Sequence, residues 1–113
     1  MDEDQRNQRR HERIPLHSRI SIGPAGDIHW VEGHNISLRG LSFYTTQPVV
    51  VGSTIRIGIR DGSGAAFSLD GAVRHVTPVA GEAKWIVGAE FPEDLSEATF
   101  DLITKPGFDP PQL

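Results

Sequence analysis

Short segments of alternating apolar and polar residues run through most of the chain, and turn-forming residues separate them. The clearest segment has Ile55, Ile57 and Ile59 at alternate positions, as expected for a strand that buries one face. Many short strands punctuated by glycine and proline are typical of small barrels and sandwiches. The pattern predicts strands over six segments, which are residues 16–22, 28–38, 41–46, 53–60, 66–77 and 84–91.

One helix is predicted near the C-terminus, at about residues 94–104. Asp94 or Ser96 can cap its first turn, and acidic residues near that turn suit the helix dipole. The apolar face expected to cover one open end of the barrel consists of Leu95, Ala98, Thr99, Leu102 and Ile103. The sequence therefore predicts an all-β fold, a small antiparallel barrel of six or seven strands with one C-terminal α-helix.

The length of 113 residues fits a single domain. Residues 1–8 contain almost no apolar side chain and are expected to form a flexible arm, residues 9–104 the folded domain, and residues 105–113 a loose tail. Pro15 disfavours a helical conformation at Ile14, so the arm is expected to enter the domain as a strand. The charged N-terminus does not resemble a secretory signal, and no apolar run approaches the ~20 residues of a membrane span. We therefore expect a cytoplasmic protein without membrane contact.

The net charge of 11 − 15 = −4 hides a basic segment near the N-terminus. Residues 5–19 carry five arginines and one glutamate, or 5 − 1 = +4, whereas residues 20–113 carry 6 − 11 = −5. An acidic body with a short arginine-rich segment indicates a local anion site rather than a surface that binds a nucleic acid polymer. Arginine also favours bidentate phosphate contacts and stacking on planar rings.

An R-x-x-x-R pair lies where the arm meets the first strand, at Arg9 and Arg13. The spacing alone is weak evidence, because it recurs elsewhere, for example at Arg56 and Arg60. Those two arginines fall on the outer face of a predicted strand, where a solvated surface is the simpler interpretation. Arg9 and Arg13 instead lie on a segment that can fold over a ligand, at a cost in ordering entropy.

The second candidate is residues 35–40, NISLRG. Strand alternation places Ile36 and Leu38 in the core. The outer face would then carry three polar side chains, Asn35, Ser37 and Arg39. Amide and hydroxyl groups can pair with the edge of a purine base, and Gly40 permits a turn. The same residues also fit a polar strand end followed by a turn glycine, so the segment alone leaves both interpretations open.

Taken together, the two motifs resemble the PilZ family, whose members bind the bacterial second messenger cyclic di-GMP. The family pattern is R-x-x-x-R in an N-terminal arm, followed one strand later by [D/N]-x-S-x-x-G. The matches here are Arg9 to Arg13 and residues 35–40, and the strand pattern, Gly88 and the closing helix extend the resemblance over residues 6–104. The resemblance implies a β-barrel of PilZ type.

In PilZ proteins the arginines of the arm clamp the dinucleotide, and the Asn or Asp and the Ser of the second motif contact a guanine. The cyclic di-GMP-binding residues that the resemblance implies here are Arg9, Arg10, Arg13, Asn35, Ser37 and Gly40, with Arg39 and Gly88 as weaker correspondences. It implies a single-domain receptor or adaptor whose arm closes over cyclic di-GMP. The closure would alter the surface seen by an unidentified protein partner.

Catalysis, metal binding and a cofactor find no support in the sequence. There is no cysteine, and Ser37 and Ser42 have no obvious base. His29 and His34 are five residues apart, which places them on opposite faces of a strand. We therefore expect no catalytic residue, no metal site and no enzyme activity.

Two other functions remain open. One is a PilZ-like protein adaptor that does not bind nucleotide, and the other is a small barrel that binds RNA or single-stranded DNA. The acidic body and the lack of an evident exposed stripe of aromatic and basic residues argue against the second. The aromatic residues expected in the core are Trp30, Phe43, Phe67, Trp85 and Phe91.

Overall fold

The computed structural model describes residues 12–16, 19–23, 29–47, 49–60 and 66–104. The predicted arm over residues 1–8 and the predicted tail over residues 105–113 lie outside the described residues. The strands are β1 (Ile14–Pro15), β2 (Arg19–Gly23), β3 (His29–Ile36), β4 (Gly40–Thr45), β5 (Thr54–Arg60), β6 (Ala66–Pro78) and β7 (Trp85–Glu90), and they are followed by helix α1 (Glu97–Thr104).

The strands form a closed antiparallel barrel. The sheet runs in the order β1-β3-β2-β5-β6-β7-β4, and an additional pairing between β3 and β4 closes a ring of six strands. β1 is the extra strand, and it pairs with the end of β3 through Ile14 opposite Ile36 and Pro15 opposite Asn35. The predicted all-β barrel with a single C-terminal helix is confirmed, as is the extended entry of the chain at Ile14.

Alternation predicted the inward side chains of β5 correctly. Ile55, Ile57 and Ile59 are 7%, 0% and 2% exposed, whereas Arg56 between them faces solvent. The aromatic residues follow the same rule less uniformly. Phe43 and Phe91 are buried and Phe67 and Trp85 are half-buried, but Trp30 is 61% exposed. The prediction that Trp30 belongs to the core was therefore wrong.

The phase of β3 explains the position of Trp30. Its neighbour Val31 packs against the core cluster, so Trp30 must lie on the outer face of the strand. There the guanidinium carbon of Arg19 lies 5.6 Å from the centroid of the Trp30 ring, in the arrangement of a cation–π contact. The apolar neighbours of Trp30 in the sequence did not indicate which face it occupies.

Helix α1 begins at Glu97 and joins the core through two side chains. Phe100 and Ile103 are 1% and 5% exposed. The predicted apolar face was wrong in part, because Ala98 and Leu102 are exposed and Phe100 was not assigned to it. Phe100 and Ile103 are three residues apart and so share one face of the helix. No helix in the described part of the chain is long and apolar enough to cross a membrane.

Ser96 caps the helix, as one of the two predicted alternatives. Its Oγ accepts a hydrogen bond from the backbone N of Thr99 at 3.1 Å. We expect Ser96→Ala to lower the free energy of unfolding by about 1 kcal/mol, because this N–H loses its acceptor. Ser96→Asp retains an acceptor and should keep the stability of the wild type in urea unfolding. Equal stability of all three proteins would show that the cap contributes nothing.

Candidate functional site

The second sequence motif forms a tight turn between β3 and β4. The backbone N of Ser37 donates to the carbonyl O of Gly40 at 2.8 Å, and Ser37 Oγ accepts from the backbone N of Arg39 and of Gly40 at 3.3 Å each. Ser37 is consequently only 2% exposed. The predicted strand over residues 28–38 is thus too long. Because β3 ends at Ile36, the alternation that placed Ser37 on an outer face does not apply, and its hydroxyl instead stabilises the turn.

This turn is fastened to the segment that leads into helix α1. The backbone N of Phe91 donates to the carbonyl O of Arg39, and the backbone N of Leu95 donates to the carbonyl O of Leu38, both at 2.8 Å. Leu38 is 5% exposed and anchors the turn in the core, as predicted. The turn is therefore held from both sides, which presents the exposed Arg39 side chain from a rigid base.

Two glycines allow close approaches beside the turn. Gly40 lies opposite Glu90 in the pairing of β4 with β7, and a Cβ on Gly40 would collide with the carbonyl oxygen of Ala89. A Cβ on Gly88 would collide with the ring of His75. Gly40 requires glycine because backbone atoms occupy the space of a side chain, whereas a side chain at Gly88 would require the His75 ring to move.

A bulge in β6 brings Arg74 to the same place. The register of β6 with β7 shifts between Val73, which lies opposite Ala89, and His75, which lies opposite Gly88. Arg74 is the extra residue of the bulge, and such residues re-aim side chains at the rims of barrels. No pattern in the sequence marks this irregularity.

Glu90 joins two arginines from different parts of the chain. Its Oε2 lies 2.6 Å from Arg39 Nε, and its Oε1 lies 2.9 Å from Arg74 Nε. The hydrogen bond from Arg39, followed by that from Arg74, lowers the pKa of Glu90, and the same bond raises the pKa of Arg39. Glu90 therefore stays ionised at neutral pH. Any stability that the network contributes is present above the ordinary pKa of Glu and is lost as the pH falls through the lowered value.

These residues line a cleft of about 160 Å³ at the rim of the barrel. Its lining consists of Arg13, Ser37, Arg39, Gly40, Arg74, His75, Gly88, Ala89 and Glu90. Arg13 Nη1 also donates a hydrogen bond to Asn35 Oδ1 at 2.8 Å. The structure thus brings together five of the sequence-predicted residues in one cleft and Asn35 in contact with it. Arg9 and Arg10 lie outside the described residues.

Sequence reasoning missed Arg74, His75 and Glu90. With Arg13, Arg39 and Arg74 against Glu90, the ionised side chains of the cleft sum to 3 − 1 = +2. The chain as a whole carries −4. A locally positive cleft on an acidic protein attracts anions to this point. Among the described residues, no group of three or more His, Asp or Glu is placed to hold a metal ion.

A second cleft, of about 300 Å³, lies by the start of β3 and the end of β4. Trp30 and Tyr44 line it, and Lys84 Nζ lies 4.5 Å from the centroid of the Tyr44 ring. With Arg19 above Trp30, two aromatic rings on this surface each have a cation beside them. The expectation that the chain has no exposed aromatic and basic stripe was therefore wrong.

The sequence matches the PilZ domain family over residues 7–105, which is most of the chain. The chain belongs to the PilZ domain family. PilZ domains are binding domains of the cyclic di-GMP receptor and adaptor class rather than enzymes. No curated protein matches the chain.

Two solved structures share the PilZ fold of this chain. The Bacillus subtilis inhibitor of motility, MotI/DgrA, superposes with a TM-score of 0.67 at 18% identity, over 80% of this chain and 46% of that one. MrkH of K. pneumonia in its apo state gives a TM-score of 0.57 at 15% identity, over 81% of this chain and 50% of that one. The chain spans about half the length of each. At these identities the likeness shows the fold alone.

Proposed function

We propose that this PilZ domain binds cyclic di-GMP in the cleft beside the β3–β4 turn, and that residues preceding Arg13 close over the ligand. The observation that carries the proposal is the convergence of Arg13, Arg39 and Arg74 on one cleft. Cyclic di-GMP carries two phosphate charges, which balance the +2 of the cleft. Guanidinium groups form charge-assisted forks with phosphate and also stack on flat bases such as guanine.

The size of the cleft supports a role for the arm. Its 160 Å³ is below the ~300–1,000 Å³ of pockets that enclose a whole small ligand, so it can receive only part of the dinucleotide. Arg9 precedes Arg13 by four residues, and an extended chain of that length reaches about 14 Å. Arg9 and Arg10 are therefore within reach of the part of the ligand that projects from the cleft.

Closure of the arm over the ligand would change the surface beside β1. The main chain of β1 pairs with β3 at Asn35 and Ile36, so the arm that precedes it starts from a fixed position and direction. We propose that a protein partner recognises the closed form. A PilZ-like adaptor that does not bind nucleotide would use the same surface without the ligand.

A single-stranded nucleic acid is the second candidate ligand. Trp30 and Tyr44, with Arg19 and Lys84 beside their rings, supply the stacking groups and cations that such sites use. The acidic body opposes it, because phosphate contacts dominate the affinity of these sites. Residues 20–113 carry −5. A polymer is therefore the weaker proposal, and oligouridylate serves as the comparison ligand in the test below.

Isothermal titration of the wild-type protein tests the proposal. Charged hydrogen bonds, stacking and neutral hydrogen bonds, less the ordering of the arm, leave a net of about 8 kcal/mol. That corresponds to a dissociation constant on the order of 1 μM. The affinity should fall as salt is raised from about 50 to about 300 mM, because ions screen the contacts. Absence of binding at about 100 μM ligand, or a preference for oligouridylate, would contradict it.

A further inference from the structure

One carboxylate of the barrel rim bridges two arginines of the cleft. Glu90 Oε2 lies 2.6 Å from Arg39 Nε, and Glu90 Oε1 lies 2.9 Å from Arg74 Nε. Arg39 comes from the β3–β4 turn and Arg74 from the bulge of β6, and both side chains line the cleft with Glu90. Each oxygen of this carboxylate therefore neutralises one arginine at the place where an anionic ligand is expected to bind.

The bridge has the same chemistry as a bound phosphodiester. A phosphodiester, like a carboxylate, carries its negative charge on two terminal oxygens, and guanidinium groups bind both anions through charge-assisted hydrogen bonds. The carboxylate of Glu90 already accepts from the Nε donors of Arg39 and Arg74. A phosphate group that takes these two donors must therefore replace the carboxylate.

The bridge is open to solvent, so its exchange is easy. The side chains of Arg39, Arg74 and Glu90 are 44%, 61% and 27% exposed. Exposed ion pairs contribute little, because water solvates the partners when they separate. The backbone of Glu90 is held in β7 opposite Gly40, so its carboxylate stays close to the cleft at all times. A ligand consequently competes with an anion whose concentration does not fall on dilution of the protein.

We infer that Glu90 is an internal competitor of the ligand, whose carboxylate holds Arg39 and Arg74 in the ligand-free protein and releases them to a phosphate group of cyclic di-GMP. The inference rests on the proposed function. The alternative is a positioning role, in which Glu90 keeps both hydrogen bonds in the complex and orients the remaining guanidinium donors. The two roles predict opposite effects, because a competitor weakens binding and a positioning carboxylate strengthens it.

Glu90→Gln tests the inference by isothermal titration with cyclic di-GMP at low salt. The variant side chain keeps its length but is neutral, and its single amide oxygen replaces the two anionic oxygens. We expect it to bind about three- to tenfold more tightly than the wild type, because the phosphate no longer replaces a carboxylate. The gain should shrink as salt is raised from about 50 to about 300 mM, since ions screen the contacts.

Glu82→Gln is the matched control for charge. Glu82 lies between β6 and β7, 3.4 Å from Lys84 Nζ, and it does not line the cleft. Both substitutions make the same chemical change and remove one negative charge. We expect Glu82→Gln to bind within about twofold of the wild type, because a distant exposed charge is screened. Urea unfolding checks that both variants fold, and Glu90→Ala, which removes the carboxylate altogether, should repeat the gain.

The pKa of Glu90 reports whether its carboxylate leaves the arginines. In the ligand-free protein the hydrogen bond from Arg39, followed by that from Arg74, lowers this pKa. Replacement by a phosphate removes these donors and brings a negative charge nearby, and both changes raise the pKa. Carbon-13 NMR of the Glu90 carboxyl group should therefore give a higher pKa with saturating ligand than without it. Arg13 and His75 also line the cleft, and they are present in both measurements.

The outcomes distinguish the inference from the function on which it rests. If Glu90→Gln binds cyclic di-GMP no more tightly than the wild type, or if the pKa of Glu90 does not rise in the complex, Glu90 is not a competitor and only the inference is wrong. Equal gains in Glu90→Gln and Glu82→Gln would reduce the effect to net charge and would also overturn it. If the wild type binds no cyclic di-GMP, the proposed function itself fails.

Discussion

Arg13→Ala is expected to weaken cyclic di-GMP binding by about 30-fold, the largest effect of any single side chain in the described part of the cleft. A hydrogen bond to a charged group contributes ~1.5–3 kcal/mol, which corresponds to about 10- to 150-fold in affinity. Arg13 lines the cleft and also holds Asn35 Oδ1 at 2.8 Å. Its removal therefore takes away a cation and a hydrogen bond to the Asn35 side chain. Isothermal titration at low salt measures the loss.

Arg56→Ala is the matched control for this variant. Arg56 lies on the outer face of β5 and does not line the cleft; its side chain is 68% exposed and forms a long 3.3 Å pair with Asp70. Both substitutions remove one positive charge, so a general effect of net charge would appear in both. We expect Arg56→Ala to bind within about twofold of the wild type, since exposed ion pairs contribute little. Similar affinities of the two variants would show that Arg13 is not a ligand contact.

The regular part of the fold could be predicted from alternation, because burial of one face imposes a period of two on the strand. Ile55, Ile57 and Ile59 illustrate this, and each predicted strand segment overlaps an observed strand. The errors occur where the period breaks or its phase is ambiguous. Ile28 and Trp30 fall on one face of the predicted strand and Val31 on the other, so the sequence does not show which face meets the core.

The candidate site could be predicted less completely than the fold, because several of its contacts join residues that are far apart in the sequence. The two motifs predicted Arg13, which precedes β1, and Ser37 and Gly40, which lie in the β3–β4 turn. Arg39 and Glu90 are 51 residues apart, and they meet because the pairing of β4 with β7 places Gly40 opposite Glu90. Such contacts follow from the closure of the barrel rather than from local composition.

The bulge in β6 accounts for a further part of the site. Arg74 reaches the cleft because one extra residue is inserted in β6 between Val73 and His75. A bulge depends on how a strand pairs with its neighbour, so it is a tertiary property. One of the three arginines that line the cleft was thus hidden from sequence reasoning.

Gly40→Ala is expected to lower the free energy of unfolding by about 3 kcal/mol, at the upper end of the range for overpacking. The added Cβ would collide with the carbonyl oxygen of Ala89 and would lie 3.1 Å from Glu90 Cα. Both neighbours are backbone atoms of β7, which cannot rotate away as a side chain can. The collision can be relieved only if the β3–β4 turn moves away from β7, and this movement would also displace Ser37 and Arg39. We therefore expect the folded fraction of this variant to bind cyclic di-GMP at least about tenfold more weakly.

Gly81→Ala separates this steric effect from the general loss of a glycine. Gly81 has a φ of 76°, where a side chain is conformationally unfavourable, but a Cβ there would meet no atom within 4 Å. Gly40 is not among the described glycines with positive φ, so its requirement is one of space alone. Gly81→Ala should lower the free energy of unfolding by about 1–2 kcal/mol and leave ligand affinity unchanged. If Gly40→Ala is the more stable of the two variants in urea and retains full affinity, the close contact between the turn and β7 does not control the site.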